Sequence, residues 1–185
     1  MLDDLKDKAT ELAGNAGSKP KLENPKELFV HNLGATLTME NTVEEMLGKL
    51  VEKAKSSELK KQLRHHREET QAQIRNLHQV FQSLGIKPQT NPCPAIEGIE
   101  KEGEANLKMA DESLHDDVIL AGCGETEHHE IAVYESLILH ATALGHDDIV
   151  ALLQENLEQE QHTLGEVLEA TMKNTKTTQR SGAAA

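Results

Sequence analysis

The chain has 185 residues, a net charge of −13, 37% hydrophobic residues and only 2% aromatic ones. That length suits one domain with spare segments at its ends, and the acidic balance opposes binding to nucleic acid or to an anionic membrane surface. No apolar run approaches the ~20 residues of a spanning helix, and the acidic start Met1-Leu2-Asp3-Asp4 carries no apolar signal segment, so a cytoplasmic location is expected.

With so few aromatics the core must be aliphatic. Cys93 and Cys123 do not form a metal-type CxxC pair, and in a reducing compartment both are expected to be free thiols. Residues 1–22 read as a short amphipathic helix, with Leu2, Leu5, Ala9 and Leu12 on one face, followed by a linker rich in Gly, Ser, Pro and Lys. This segment suits a terminal extension or a docking element for a partner, because so few apolar residues cannot hold a helix alone.

The first long helix opens with Asn24 as N-cap, Pro25 in the first helical position and Glu27 at the capping-box position. Its core-facing row is Phe29, Leu33, Thr36, Glu40, Val43, Leu47, Leu50 and Ala54, and it is expected to end near Lys55. A cap at Ser56 or Ser57 starts the second helix, whose row is Leu59, Leu63, His66, Thr70, Gln73, Leu77, Phe81 and Leu84, with Gly85 ending it. So short a connection forces the two into an antiparallel hairpin. Residues 86–114 differ: Pro88, Pro92 and Pro94 exclude a continuing helix, and a shorter helix from Ala95 to about Glu112 is expected to be broken up by Gly98 and Gly103. The third long helix runs from about His115 to Leu144, with the row Leu120, Cys123, Glu127, Glu130, Tyr134, Leu137 and Ala141. The fourth is capped by Asp147 or Asp148 and reaches about Lys173, with the row Val150, Leu153, Leu157, Glu160, Leu164, Val167 and Thr171. Residues 174–185 are expected to form a disordered tail.

Every row carries polar groups where leucine belongs, and they share one depth. Glu40 lies about as far before the first turn as Thr70 lies after it, and Glu130 and Glu160 are similarly placed about the turn near residue 146. The short–long–short loop pattern is that of an all-α, ferritin-like antiparallel four-helix bundle over residues 23–173, with one long crossover. In that plan a pair of Fe or Mn ions binds inward-facing carboxylates and imidazoles. The candidate ligands are Glu40, His66, Glu69, Glu127, Glu130 and Glu160. The usual Glu-x-x-His pairs are absent; the second helix has His66-x-x-Glu69 and the third has Glu127-x-x-Glu130. Without a cation, the same groups could form a buried polar network. His128 and His129 point away from this row, and Tyr134 is one turn from Glu130, placed to satisfy its hydroxyl in the core or to hydrogen-bond a ligand.

Several segments resemble the YciF-like family of ferritin-like bacterial stress proteins. They are Glu27-Leu-Phe-Val-His31, Met39-Glu40, His66-Arg-Glu-Glu-Thr70 with Gln73, Cys93-Pro-Ala-Ile-Glu-Gly98, Glu127-His-His-Glu-Ile-Ala-Val-Tyr134 and Leu157 to Glu160. The resemblance covers about residues 24–172 and implies a ferritin-like bundle, a homodimer, a dimetal site and ties to rubrerythrin- and manganese-catalase-like proteins. Three positions depart from the family pattern: Leu37 replaces a usual Tyr, Leu164 a frequent acidic residue, and His129 a usual aromatic. Two functions follow. One is a dimetal carboxylate protein reacting with oxygen or peroxide in a ferroxidase-, catalase- or peroxidase-like way. The other is a non-enzymatic stress protein whose metal or polar network serves structure, storage or a partner interface. A DNA-protecting mini-ferritin is disfavoured by the negative charge.

Overall fold

The computed structural model of the protein describes residues 21–182, and among them the only regular structure is helical. Five α-helices follow in order: α1 (Pro25–Lys53), α2 (Ser57–Ser83), α3 (Pro94–Met109), α4 (His115–Ala143) and α5 (Asp147–Gly182), with a 3₁₀ turn at Glu112–Leu114 before α4. The predicted N-terminal helix lies outside the described residues.

Local chemistry sets the helix boundaries. The Asn24 side chain accepts from the Glu27 N–H at 2.9 Å, while the Glu27 carboxylate accepts from the Glu23 N–H at 2.8 Å, one residue before the usual capping-box partner. Of the two candidate caps for α2, Ser56 serves: its Oγ accepts from the N–H groups of Glu58 and Leu59. Gly85 and Gly145, with φ of 70° and 74°, take the left-handed conformation that closes α2 and α4. At each, the next residue's N–H returns to a carbonyl of the last turn, Ile86 to Phe81 and His146 to Ala141.

Packing closes the four long helices around one core. α1 pairs with α2 and α4 with α5, and the hairpins meet where α2 touches α5 and α1 touches α4. Asp116, in the first turn of α4, accepts from the backbone N–H groups of Lys55 and Ser56 at 2.7 and 2.8 Å. The start of α4 is thereby tied to the α1–α2 turn, so the crossover does travel the length of the hairpin. Along the way Asn91 bonds the carbonyls of Gly34 and His31, and Lys49 pairs with Glu100 at 2.8 Å. Phe29, Phe81 and Tyr134 are all fully buried, among Leu33, Leu77, Leu137 and Leu153.

Four expectations need correction. Gly98 and Gly103 do not interrupt α3, which is continuous over 16 residues; a helix tolerates isolated glycines at a cost in stability but not in geometry. The predicted tail is helical as far as Gly182, because Asn174 to Arg180 holds neither proline nor glycine to stop α5. Asp147 and Asp148 lie inside α5 rather than capping it, since the His146 carbonyl already accepts from Ile149 and Val150. The buried face of α5 is also rotated slightly from the expected row: Ile149, Asn156 and Thr163 are buried, while Val150, Leu164, Val167 and Thr171 are half-buried.

A Cβ added at Gly98 would meet no atom within 4 Å. Gly98→Ala should therefore stabilise the protein by about 0.5–1 kcal/mol in urea denaturation, through helix propensity alone. Destabilisation would show that α3 needs glycine there.

Candidate metal centre

His66 of α2, Glu127 and Glu130 of α4, and Glu160 of α5 converge in the interior. One potential ligand atom from each lies within 4.8 Å of all the others, so the group could hold a metal ion. Each has a buried residue on the same helix face both before and after it, such as Leu63 and Thr70 about His66 or Leu157 and Thr163 about Glu160, which is why the helices aim them inward. Glu127, Glu130 and Glu160 are fully buried and His66 is 5% exposed.

The electrostatics are those of acids crowded out of water. Burial, and then the adjacent Glu160, push the Glu127 carboxyl up to about 10. Glu130 is raised by burial and by Glu160, Glu40 and Glu127. Burial lifts Glu160 to about 7, restrained by the nearness of Glu127 and Gln73. Burial, with His65 adding to it, lowers His66 to about 4, so its imidazole is neutral near pH 7. Its approaches of 3.4 Å to Glu127 and 3.8 Å to Glu160 are therefore contacts rather than ion pairs. No protein donor satisfies either oxygen of Glu127, Glu130 or Glu160 with hydrogen-bond geometry, and His66 Nε2 is likewise unpartnered.

Glu40 of α1 is fully buried beside this group but differently held. The Tyr134 hydroxyl donates to its Oε1 at 2.5 Å, leaving Oε2 without a partner. Burial and then Glu160 raise its pKa, and the Tyr134 bond lowers it. Tyr134 is itself held above the usual phenol range by burial and by Glu40, so it keeps the proton it donates. Its oxygen accepts from Asn156 Nδ2 at 3.0 Å, and Asn156 Oδ1 accepts from Asn76 Nδ2 at 2.8 Å. A second contact runs from Asn156 Nδ2 to the Gln73 carbonyl at 3.3 Å. One residue from each long helix thus enters a single chain of hydrogen bonds ending on Glu40.

Glu69 stands outside the four-residue group. Its side chain is 20% exposed and lies 3.6 Å from His65, yet it is near enough to raise Glu127 and Glu160. His128 is exposed and His129 half-buried. Cys123, one turn from Glu127, is driven up to about 12 by burial and then by Glu127, so its thiol keeps its proton. Sequence reasoning missed Asn76 and Asn156. The available signal was spacing, since Asn156 is three residues after Leu153 and four before Glu160, and Asn76 is three after Gln73.

Two outcomes follow. In the metal-free protein the folded pKa values of Glu127 and Glu160, about 10 and about 7, exceed the ~4.3 of an unfolded glutamate. The native state binds more protons across that interval, so stability is fully present below it and is lost as pH rises, by up to about 1.4 kcal/mol per pH unit for each group. Thermal melts after chelation should fall between pH 5 and pH 8, and a flat profile would contradict buried, unpaired acids. Tyr134→Phe, which strips partners from Glu40 and Asn156, should cost about 1–3 kcal/mol in urea denaturation.

Residues 24–180 match the protein family described as "Domain of unknown function (DUF892)". Protein YciF of Escherichia coli strain K12 is 31% identical over 139 residues, 74% of this chain and 84% of that protein. The crystal structure of the E. coli stress protein YciF superposes with a TM-score of 0.80 at 28% identity, covering 84% of this chain and 99% of that one. YcfI from Rhodopseudomonas palustris gives a TM-score of 0.78 at 38% identity, covering 82% and 97%. Among the described residues no helix is long and apolar enough to cross a membrane. The family match, the sequence identity and the superposition agree with the motif resemblance, and the chain belongs to the DUF892 family of YciF-like proteins.

Proposed function

We propose that the protein is a ferritin-like four-helix bundle holding a dinuclear Fe or Mn centre, and that this centre reacts with oxygen or peroxide. The observation that carries the reading is the set of fully buried, unpartnered carboxylate oxygens on Glu127, Glu130 and Glu160 around the neutral imidazole of His66. Burying several ionised carboxylates without a cation costs several kcal/mol each. The donor set fits a hard cation, since carboxylate oxygens with one imidazole suit Fe or Mn. Glu40, His66, Glu127, Glu130 and Glu160 would hold it, with Glu69 at the margin. When bound, such ions supply redox chemistry toward dioxygen or peroxide.

The chain's own residues perform the supporting work. Tyr134 holds one oxygen of Glu40 and leaves the other toward the interior, while Asn156 and Asn76 fix Tyr134 in turn. His66 is already in the neutral form that a metal requires, whereas the carboxyl groups release protons when a cation replaces them. Buried Leu63 and Leu120, which lie beside His66, exclude water on that side. The E. coli relative's description as a stress protein supports a place in the bacterial stress response, as a homodimer in keeping with the family resemblance.

A non-enzymatic reading is favoured by one observation: half-buried Leu164 puts hydrocarbon one turn past Glu160, where an acid could have completed the set. Elemental analysis of untagged protein, wild type beside Glu127→Ala, separates the two. About two Fe or Mn per chain, lost in the mutant, is the expected result. No transition metal in either protein, even after anaerobic loading, would leave a polar network and the non-enzymatic function.

A further inference from the structure

On the side facing the α1–α2 turn, the carboxylate group borders a half-open cavity of about 380 Å³ between α1, α3 and α4. Val43, Leu47 and Leu50 of α1, Ile99 and Leu107 of α3, and Ile119 of α4 form aliphatic walls. Glu127 and His66 form its inner end, and Lys49, Lys53, Lys108, Glu100 and Glu104 stand at its outer wall. Cavities of this volume take small organic ligands.

Three features argue for a hydrocarbon occupant. Between the charged mouth and the inner end the walls are aliphatic, and water there would lack the two to four polar partners it needs. Leu50, Ile99 and Leu107 pack against the core yet remain only half-buried, which leaves apolar surface for a guest to cover. Gly103 and Gly122 line the same space from within α3 and α4, and a Cβ on either would meet no atom within 4 Å. Glycine is the weakest ordinary helix former, so these positions forgo helix stability where a side chain would stand in the cavity wall. α3 contributes only Ile96 to the fully buried core, consistent with a cover rather than a structural pillar.

We propose that the cavity binds the aliphatic chain of a medium-chain, fatty-acid-like molecule, its polar head at the charged mouth and its chain end against Glu127 and His66. The inference rests on the metal reading only in naming what the chain end meets. Lys49 and Lys108 at the mouth are paired with Glu100 and Glu104, at 2.8 and 3.8 Å, so the group offered to a carboxylate head there is Lys53.

The test is isothermal titration of the full chain with decanoate, using wild type, Gly122→Phe and Glu130→Gln, with metal content measured on each sample. Wild type should bind one decanoate per chain saturably, and Gly122→Phe at least tenfold more weakly with its metal content retained. Glu130→Gln, whose residue does not line the cavity, should lose metal and keep decanoate binding. Absence of saturable binding to wild type, or equal affinity in Gly122→Phe, would overturn the proposal. Should Gly122→Phe fail to fold, Gly103→Leu on the covering helix supplies the same block and is read the same way. Decanoate bound by a wild type that takes up no metal would support the cavity and sink the metal reading. Two metals without decanoate would do the reverse.

Discussion

The fold depends on one constraint: acids from α1, α4 and α5 must share a dry interior with an imidazole from α2. Their mutual repulsion and lost hydration raise the pKa values of Glu40, Glu127, Glu130 and Glu160, and something must compensate. Aliphatic packing supplies the general cohesion, since Leu33, Leu77, Leu137 and Leu153 on one side and Leu47, Leu63 and Leu120 on the other are all essentially buried. Such packing is tolerant of sliding. The hydrogen-bonded chain through Asn76, Asn156, Tyr134 and Glu40 is not, because shifting any helix by a turn breaks a link in it.

The two sides of the carboxylate group are therefore unlike. Toward the α4–α5 turn lies the polar chain, which fixes one carboxylate through a phenol. Toward the α1–α2 turn lies an aliphatic cavity under a helix with little buried surface. A site that is rigid on one side and roomy on the other can hold its ligands in place while still admitting a second molecule.

Much of this was legible in the residues. The caps at Asn24 and Ser56, the glycines at 85 and 145, and the polar interruptions at Glu40, His66, Glu127, Glu130 and Glu160 all carry strong local signals, and the structure buries each of those interruptions. What was not legible depends on neighbours. Asn156 sits beside Leu157 on a broad buried face, and spacing alone does not tell which of the two carries the specific contact. Glu69 shares the helical turn of His66 yet reaches the margin, because a rotation of a fraction of a turn separates core from surface. Gly98 and Gly103 read as breaks, since glycine weakens a helix without dictating where it ends.

The connectivity also bears on how the molecule assembles. Each hairpin is local, closed by a turn of a few residues, whereas the bonds of Tyr134 to Glu40 and of Asn76 to Asn156 join residues 94 and 80 apart in sequence. Closing a short turn costs less chain entropy than joining such distant residues, which favours each hairpin ahead of their docking. Until then Glu40 and His66 on one hairpin, and Glu127, Glu130 and Glu160 on the other, face solvent and keep their hydration. Dehydration of the acids is thus complete only when the two hairpins are docked, and a cation present as they close would neutralise both faces.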